Sequence, residues 1–512
     1  MNEARLDIPQ GLGRPRRADI FNSFRASLSN LHFEPGLEML QKTFWAAALL
    51  CTVLGSEASN PGLKGRITGK ALEEVNKIGL DVLKSRLKEM TIPDQAGQYR
   101  MSWMMTAYYE VSGIQIQDLQ IPESSMRFIP GKGIELSIKN TIMKITGRWT
   151  AKLWFMNPGG SFDVFVSGLS LSSVLGATRD DSGRPSVREG SCSTTIGELR
   201  VTFKDGMSWL YNLFRKSLER PLRDLLYSKS CAAVRKMITD LDQILRTMPV
   251  SVQIDQSAVF DYSLLEAPLI TDQYSELDFK GEFYSSKHAR DPNFSPAPFS
   301  MPDQTGQMLY FGLSESFFNS AAFAYFTSGV MQVNLTQNKI PLNSPILLKT
   351  DDFENLIPEI PRQYPHLGMM LQLSARKQPL LTCLPGSLHL TGHGYIRASA
   401  ILPNATLAPL FEIDLDTVIK GQVMISGQKL NGSLDLDSFR LSLVHSDVGP
   451  LEVDTLQAML SEVLQILVLP EVNKILSRGF LLPTINGLTL VNPSVTVLKG
   501  LVIFGADGHF SV

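Results

Sequence analysis

The chain has 512 residues, of which 44% are hydrophobic and 19% charged, and its formal net charge is -2. This length and apolar content allow large buried cores and exceed one ordinary domain, so we expect two domains rather than a disordered chain. The chain has no basic stripe interleaved with aromatic residues, which argues against nucleic-acid binding.

The first predicted element is a secretory leader. The longest apolar run, Phe44 to Leu54, has 11 residues, whereas a membrane span needs roughly 18. Lys42 supplies a positive charge before this run, and small residues mark a cleavage point near Ala58. We therefore expect residues 39–58 to be a signal peptide, residues 1–38 to be an upstream extension absent from the mature protein, and the mature protein to be secreted and extracellular.

An amphipathic helix is predicted from residue 71. Its apolar residues recur every three or four positions, and charged residues fill the positions between them. Such a helix most often packs its apolar face on a sheet, so the pattern alone does not identify a ligand. The apolar face consists of Leu72, Val75, Ile78, Val82, Leu83, Leu87 and Met90.

Alternating apolar and polar residues then predict antiparallel strands with one buried face. A second apolar stripe from Met207 to Leu226 predicts a helix that is kinked at Pro221, because proline removes a backbone hydrogen bond. We expect the strands to form a twisted sheet that this helix closes into a barrel. The predicted strands are 113–121, 133–138, 161–171 and 199–203.

Residues 287–303 contain four prolines, too many for a helix or a central strand, and are predicted to be an interdomain linker between domains 59–286 and 304–512. Beyond the linker the order of elements partly repeats. Both halves end in apolar helices broken by proline, which indicates a degenerate twofold repeat. The predicted elements are a short helix near 351–359, strands 387–401 and 421–433, and a helix from Leu456 to Leu467 interrupted at Pro470.

Charge is distributed unevenly between the halves. Residues 60–250 contain 27 Lys and Arg against 19 Asp and Glu, whereas residues 251–512 contain 15 against 25. A basic first half would concentrate anionic headgroups at its surface, in a salt-sensitive manner. The alternative is an ordinary solvated surface.

Four Asn-x-Ser/Thr sequons predict glycosylation in a secreted chain. Asn404 lies in a predicted loop and is the favoured site. Asn431 precedes Gly432, and this pair also predicts a hairpin turn, which competes with occupancy there. The four sequons are at Asn293, Asn334, Asn404 and Asn431.

Catalytic and metal motifs are missing from the sequence. It has no Gly-x-Ser-x-Gly elbow, Gly-x-Gly-x-x-Gly loop, His-Glu-x-x-His site or Cys-x-x-Cys pair. His389 and His393 share one predicted strand face but lie about 13 Å apart along it. We therefore predict no enzyme, no metal and no cofactor.

A series of short motifs follows along the chain after residue 60. They are Pro61-Gly62-Leu63, Arg66-Ile67-Thr68, Leu83-Lys84, Pro93, Lys280-Gly281-Glu282-Phe283-Tyr284, Phe311-Gly312-Leu313-Ser314, Phe317-Phe318, Leu402-Pro403-Asn404 and Arg478-Gly479-Phe480-Leu481-Leu482-Pro483. Together they resemble the family of lipopolysaccharide-binding protein, bactericidal permeability-increasing protein and the plasma lipid transfer proteins, with the best match in the bactericidal permeability-increasing branch. Ile78 departs from the family pattern, which has Glu or Gln there.

The resemblance implies an α+β fold with two tandem barrels, each a twisted antiparallel sheet with two helices, joined by a central sheet into an elongated boomerang. Each barrel would hold phospholipid acyl chains in an apolar pocket, since each buried methylene contributes about 0.8 kcal/mol. Core packing is the alternative role of every candidate lining residue. These candidates are Leu72, Val75, Ile78, Val82, Leu210, Leu213 and Phe214.

The resemblance also implies a disulfide. Without Cys51, which leaves with the leader, the mature chain keeps three cysteines, and Cys192 and Cys231 match the single bridge of the family. Cys383 is then expected to be a buried free thiol.

The tip of the first barrel departs from the antibacterial relatives, which carry several basic residues there. Here Lys152 is nearly alone in a run of apolar residues before a Pro-Gly-Gly turn. An apolar tip would dip into a membrane or a lipid particle, because Trp favours such interfaces. The alternative is a strand end with Trp154 and Met156 packed inward. The tip candidates are Lys152, Leu153, Trp154, Phe155 and Met156.

The sequence therefore predicts a secreted, monomeric lipid-binding protein that acts by binding rather than turnover. Its expected partners are phospholipids, bacterial lipopolysaccharide or related amphipaths, and membrane or lipid-particle surfaces, in innate antibacterial defence. The alternative is a phospholipid carrier that acts between membranes or lipid particles.

Overall fold

The structure is a computed structural model. It describes residues 60–89, 94–100, 106–204, 208–287, 296–339, 347–354, 357–451, 453–481 and 488–510. The predicted extension 1–38 and signal peptide 39–58 lie outside these residues. No helix in the described part is long and apolar enough to cross a membrane.

The first half of the chain forms thirteen strands and two long helices in its described residues. They are β1 Leu63–Thr68, α1 Gly69–Glu89, β2 Gln95–Arg100, β3 Thr106–Gln120, β4 Glu123–Ile129, β5 Gly133–Lys152, β6 Gly159–Arg179, β7 Pro185–Thr195, β8 Glu198–Lys204, α2 Ser208–Arg246, β9 Ser251–Gln253, β10 Ala258–Asp261, β11 Leu269–Ile270, β12 Tyr274–Phe279 and β13 Glu282–Ser285.

The second half is also mostly sheet. Its elements are β14 Leu309–Ser314, α3 Glu315–Thr327, β15 Gln332–Thr336, α4 Glu359–Gln363, β16 Gly368–Ala375, β17 Leu380–Leu384, β18 Ser387–Ile401, β19 Leu407–Ser426, β20 Lys429–Ser446, α5 Val453–Val463, α6 Leu469–Ser477, β21 Phe480–Leu481, β22 Leu488–Leu498 and β23 Leu501–Phe510. Short 3-10 helices cover Gln337–Lys339 and Thr350–Phe353, and a π-helical turn, Leu464–Val468, links α5 to α6.

Each half contains a seven-stranded antiparallel sheet. The first has the order β2-β3-β5-β6-β7, with β4 on β5 and β8 on β6; the second has the order β15-β16-β18-β19-β20-β21, with β17 on β18. The prediction of closed barrels is wrong, because the two edge strands of each sheet do not pair with each other. At β7, helix α2 covers the edge instead, and its Asp242 accepts hydrogen bonds from the Val187 amide and the Ser186 hydroxyl.

A six-stranded central sheet joins the two halves. Its order is β11-β12-β1-β14-β23-β22, so strand β1 pairs with β12 from the first half on one side and with β14 from the second half on the other. Strand β14 in turn pairs with β23 near the end of the chain. The central sheet is therefore built from segments more than 400 residues apart in sequence.

Two glycines of the sequence motifs meet beside this sheet. A Cβ atom on Gly62 would lie 2.5 Å from the carbonyl oxygen of Gly281, and Gly281 itself has a φ of +60°. A side chain at either position would collide with backbone or strain it. The close approach explains why Pro61-Gly62 and Lys280-Gly281 stand in the motifs of this fold.

A buried ion pair crosses the central sheet. The guanidinium of Arg66 on β1 donates to Glu276 on β12 at 2.7 Å, and both side chains are buried. Arg66 also donates to the backbone carbonyls of Met301 and Pro302, and its guanidinium lies 4.0 Å from the ring centre of Tyr274. Residues 296–303 of the predicted linker, which have no regular structure, are thereby fixed to the sheet.

Several predicted elements differ from the structure. Helix α2 continues past its predicted end at Leu226 to Arg246, and the helical segment that includes Leu456 and Leu467 continues past Pro470. In the second of these segments, the π-helical turn Leu464–Val468 lies just before Pro470. Pro470 has no backbone amide, so the helical hydrogen-bond pattern has to change at this point. The sequence does not predict helix α3.

The predicted strand 421–433 is also wrong. It spans the two-residue turn Gly427–Gln428 that connects β19 to β20. Gly427 has a φ of +60°, which a tight hairpin turn favours. Asn431 and Gly432 lie within β20, opposite Met424 and Val423, so they do not form the predicted hairpin turn.

The structure contains a disulfide between Cys192 on β7 and Cys231 on α2. It attaches the middle of the long helix to the edge of the sheet. Cys383 is free and buried, and burial raises the pKa of its thiol to about 12. The thiol is therefore protonated and unreactive at neutral pH.

We expect Cys192→Ala with Cys231→Ala to destabilise the protein by up to about 4 kcal/mol, because the bridge closes a long loop in the unfolded chain. The melting temperature under non-reducing conditions measures this change. A reductant should lower the melting temperature of the wild type and leave that of the double variant unaltered. Equal melting temperatures of the two proteins without reductant would contradict a stabilising role.

We expect Arg66→Met to destabilise the protein by about 3 kcal/mol, because the buried Glu276 carboxylate then keeps only one cationic partner, the Lys64 ammonium at 2.9 Å. Arg66→Met with Glu276→Leu should recover part of the loss. Denaturant unfolding measures both changes. Arg200→Met is the matched control, since Arg200 pairs with Glu198 at the surface and both are well exposed; a loss as large there would contradict the argument from burial.

Candidate functional site

The interior of the first half lies between two helices and the sheet. Helix α1 packs on β3 and β4, and helix α2 packs on β6, β7 and β8. Leu83 of α1 and Val234 of α2 meet in one apolar cluster with Ile138 of β5 and Leu171 of β6. The Cys192 side of the disulfide packs against the same cluster. This apolar cluster between α1 and α2 is the candidate contact region for acyl chains in the first half.

The predicted pocket residues on α1 have different surroundings. Leu72 is fully buried and packs with Ile67 and Leu277 of the central sheet, so it belongs to the core. Val75 and Val82 are also buried, while Ile78 is half-buried. The side chains of the predicted α2 candidates Leu210, Leu213 and Phe214 lie outside the described part of the structure.

The residues of α1 and α2 that face each other were missed by the sequence analysis. The sequence predicts Leu83 on the apolar face of the first helix but not as a pocket residue, and Val234 lies beyond the predicted end of the second helix. The 39-residue length of α2 is what carries Val234 to α1. An apolar helical pattern followed past Leu226 is the signal in the sequence that would predict this contact.

The apolar face of the second sheet is covered less completely. Cross-strand partners Leu390, Ile419 and Leu436 lie side by side on β18, β19 and β20, and Leu390 is 38% exposed. Gly392 and Gly394 continue this face without side chains. The half-buried or exposed members of this face are Leu388, Leu390, Leu415, Ile419, Leu434, Leu436 and Phe439.

The corresponding cross-strand residues in the first sheet are fully packed. Ile116, Ile145 and Val164 are cross-strand partners on β3, β5 and β6, and each is buried in the main core with Leu222 and Leu226 of α2. The two sheets therefore share a topology but differ in how tightly their apolar faces are packed.

The turn between β5 and β6 forms an aromatic tip. The Leu153 amide donates to the Met156 carbonyl at 2.9 Å, which leaves Trp154 and Phe155 as the two turn residues. Trp154 is 82% exposed and Phe155 is 50% exposed, and their rings contact each other edge to face at 5.3 Å. Leu153 is buried, and Met156 packs against the same core.

The structure therefore divides the five predicted tip residues into two groups. Leu153 and Met156 anchor the turn to the core, while Trp154, Phe155 and Lys152 face outward. The alternative, with Trp154 and Met156 both packed inward, is wrong for Trp154, which is a turn residue, whereas Met156 does pack against the core.

Most basic groups behind the tip are paired. Lys144 and Lys204 both contact Asp163, and the hydrogen bond from Lys204 is the main influence that lowers the pKa of that carboxyl group. Arg200 pairs with Glu198. Lys152, by contrast, has no ion pair among the described residues. Its ammonium group is therefore available to a ligand at the tip.

A groove of about 660 Å³ runs beside the tip on the outer face of the sheet. Tyr108, which is well exposed, lies opposite Lys152 across the β3–β5 pair. Hydroxyl, amide and charged side chains surround the groove, so it can hydrogen-bond a polar headgroup next to the aromatic turn. Its lining includes Gln98, Tyr108, Glu110, Thr150, Lys152 and Asn157.

The sequons differ in accessibility. Asn334 and Asn404 are exposed, and Asn404 accepts hydrogen bonds from the amide and hydroxyl of Thr406 in its loop. The Asn431 amide nitrogen donates to the Ser477 carbonyl at 2.6 Å, and its oxygen is buried. Asn293 lies outside the described residues.

The two histidines on β18 have separate local partners. His389 contacts the Ser387 hydroxyl, and His393 pairs with Asp416 at 2.5 Å. Within the described residues, no three His, Cys, Asp or Glu side chains are grouped as metal ligands. The histidines are thus placed on the outer surface of the second sheet without a shared centre.

Comparisons with known proteins match most of the chain to one family. Residues 71–248 match the N-terminal domain of the LBP / BPI / CETP family, and residues 252–510 match its C-terminal domain. The boundary between the matches, 249–251, falls just after α2. The two matches together cover more than three quarters of the chain.

Full-length relatives show the same relationship. A bactericidal permeability-increasing protein from Sebastes schlegelii is 36% identical over 465 residues, which is 91% of this chain and 98% of that protein. A lipopolysaccharide-binding protein from Homo sapiens is 33% identical over 465 residues, which is 91% of this chain and 97% of that protein.

A solved structure agrees with the sequence comparisons. The crystal structure of a lipopolysaccharide binding protein aligns with a TM-score of 0.57 at 31% identity, and the alignment covers 88% of this chain and 99% of that one. The predicted resemblance is confirmed, and the chain belongs to the LBP / BPI / CETP family.

Proposed function

We propose that this protein is a secreted lipid-binding protein of antibacterial defence that recognises bacterial lipopolysaccharide and phospholipid. The observation that carries the proposal is the aromatic tip, where Trp154 and Phe155 project into solvent at the end of the β5–β6 hairpin. Exposed aromatic residues in a two-residue turn have no role in folding the core. They are suited to the interface between a lipid layer and water.

The tip combines two interactions. The aromatic rings would enter the apolar layer of an amphipath, while Lys152 at the strand end would meet phosphate groups at the surface. The groove beside Tyr108 would hold adjoining polar groups. Acyl chains would contact the apolar cluster between α1 and α2, where each buried methylene contributes about 0.8 kcal/mol.

The names of the relatives support the choice of ligand. A lipopolysaccharide-binding protein and a bactericidal permeability-increasing protein each match over nine tenths of this chain. We infer the remaining features from the same similarity: two lipid-binding units, at 59–286 and 304–512, in an elongated boomerang, a monomeric state, and release from the cell through the leader at 39–58. Binding without chemical turnover follows from the proposed mechanism.

A second candidate function is transport of phospholipid between membranes or lipid particles. The observation that favours it is the half-exposed apolar face of β18, β19 and β20, on which Leu390 is 38% exposed. Such a face provides space for acyl chains that the tightly packed row in the first sheet lacks. A carrier needs a reversible apolar site of this kind.

We expect Trp154→Ser with Phe155→Ser to lower vesicle partitioning at least tenfold, because each large buried side chain contributes about 1.5–3 kcal/mol and tenfold corresponds to about 1.4 kcal/mol. Flotation with phospholipid vesicles measures the change. Phe165→Ser is the matched control, since Phe165 is comparably exposed on β6 but lies away from the turn. Unaltered partitioning of the tip variant, with an unaltered melting temperature, would rule out insertion.

We expect salt to separate the two candidate functions. Vesicles that contain lipopolysaccharide should bind more tightly than phosphatidylcholine vesicles at low salt, and this advantage should disappear near 1 M NaCl, where the Debye length is about 3 Å. Lys152→Gln should remove the same advantage at low salt. Lys139→Gln, at the far end of β5, is the control and should not. If lipopolysaccharide does not strengthen vesicle binding at low salt and the protein transfers phospholipid rapidly between vesicles, the carrier function is favoured.

A further inference from the structure

A second groove, of about 520 Å³, lies on the outer face of the first sheet. It is bounded by the turn between β4 and β5 on one side and by strands β6 and β7 on the other. Strand β5 has 20 residues, so the groove and the aromatic tip are roughly 60 Å apart along it. The groove is therefore separate from the tip. Its lining includes Lys132, Glu135, Val174, Arg188, Gly190 and Ser191.

The turn that carries Lys132 is held in place by its backbone. The Lys132 amide donates to the Ile129 carbonyl at 3.0 Å, and the Gly131 amide donates to the Ile270 carbonyl of β11 at 3.3 Å. Gly131 has a φ of +67°, which glycine adopts without strain. The Lys132 side chain is exposed, and within the described residues its ammonium group has no ion pair. A fixed turn thus presents a free cation to the groove.

Arg188 presents a second cation from the opposite side. It is exposed on β7, directly opposite Gly176 of β6. A Cβ atom on Gly176 would lie 3.4 Å from Cγ of Arg188 and 3.6 Å from its Nε, so the arginine side chain lies across the glycine. Its guanidinium has no acceptor in the described part of the chain. Such a group can bind an oxyanion through two parallel hydrogen bonds.

A β-bulge shapes the wall beside Arg188. The register of β6 and β7 shifts between Ser173 and Leu175, so that Gly190 and Ser191 both lie opposite Val174. A Cβ atom on Gly190 would lie 2.9 Å from the Val174 carbonyl oxygen, so this position requires glycine. Ser191 is exposed. The bulge thereby adds a hydroxyl group to the wall that carries Arg188.

The groove also contains one carboxylate. Glu135 accepts hydrogen bonds from the Arg127 guanidinium and, at 2.9 Å, from the Ser172 hydroxyl. These bonds, above all the one from Arg127, lower the pKa of the Glu135 carboxyl group, which is therefore ionised at neutral pH. Because Arg127 balances this charge, Lys132 and Arg188 leave the groove with two positive charges in excess.

We propose that this groove binds a sugar that carries a phosphate or sulfate group. The oxyanion lies between Lys132 and Arg188 and accepts a further hydrogen bond from Ser191. Hydroxyl groups of the sugar donate to the fixed carboxylate of Glu135, and the apolar face of the ring packs on Val174. Free phosphate engages only the cations and a neutral sugar only the remaining groups, so the site favours a ligand that has both. It goes beyond the proposed function, because none of its groups belongs to the tip.

The test is a titration of the full chain with glucose 6-phosphate, followed by ligand-observed NMR, beside glucose 6-sulfate, glucose and inorganic phosphate. We expect the wild type to bind at least one of the two esters more tightly than glucose or inorganic phosphate. The ester that binds more tightly identifies phosphorylated or sulfated saccharides as the source of the ligand.

We expect Arg188→Gln and Lys132→Gln each to weaken binding of the preferred ester at least about fivefold, because each removes charge-assisted hydrogen bonds. Arg188→Lys should lose part of the affinity, since it keeps the charge but not the paired donors. Arg200→Gln is the matched control, because it removes the same charge from another exposed site on this sheet. It should leave binding unaltered, as should Trp154→Ser with Phe155→Ser at the tip.

Glu135→Gln separates recognition of the sugar from recognition of the oxyanion. Without the carboxylate, inorganic phosphate should bind more tightly, because a like charge is gone. The preference for the ester over inorganic phosphate should fall, because the sugar hydroxyls lose their charged acceptor. A preference that Glu135→Gln leaves unaltered would contradict the role of Glu135 in holding the sugar.

Three results would overturn the proposal: no binding of either ester, binding that Arg188→Gln and Lys132→Gln leave unaltered at an unaltered melting temperature, or inorganic phosphate that binds the wild type as tightly as the esters. Vesicle binding through the tip is measured separately. A protein that partitions to vesicles but fails these titrations loses only the groove, and one that passes them without partitioning loses only the proposed function.

Discussion

The fold depends on one strand of six residues. Strand β1 forms hydrogen bonds to β12 on one side and β14 on the other, and its Arg66 is buried against Glu276 while bonding the carbonyls of Met301 and Pro302. The same guanidinium thus holds the sheet and the segment that connects the two halves. Lys64 also contacts the Glu276 carboxylate at 2.9 Å, so the charges at this junction form a buried network, and losing Arg66 or Glu276 would leave a buried charge with fewer partners.

The two halves use one topology for different packing. In the first half, a long helix and a disulfide hold the helix side chains tightly against one face of the sheet, over an apolar core that includes Phe162 and Val164. In the second, the helices α5 and α6 are attached mainly along β20, and the apolar face across β18 and β19 is half-covered. A lipid-binding protein needs apolar surface that is reachable but not exposed enough to aggregate. The open face of the second half meets that condition, and edge protection by helix side chains fits the same need.

The tip illustrates how local geometry decides exposure. Strand alternation would place every second residue of 152–156 inward, but the hydrogen bond between Leu153 and Met156 converts the middle of the run into a two-residue turn. Both aromatic residues are consequently directed to solvent, and the aliphatic residues on either side hold the turn in the core. Lys152, without an ion pair in the described part, adds a positive charge beside them.

The sequence by itself determined the family, the strand-rich class and β18, for which the prediction 387–401 coincides with the strand Ser387–Ile401. These follow from local periodicity and from motifs whose glycines are required by a close backbone approach, as at Gly62 and Gly281. Only the tertiary structure decided that the sheets stay open, that α2 continues beyond Leu226 to Arg246, that Leu72 belongs to the core and that Trp154 faces solvent. Each of these depends on contacts between residues distant in sequence, or on one hydrogen bond that changes a strand into a turn, and a periodic pattern contains neither.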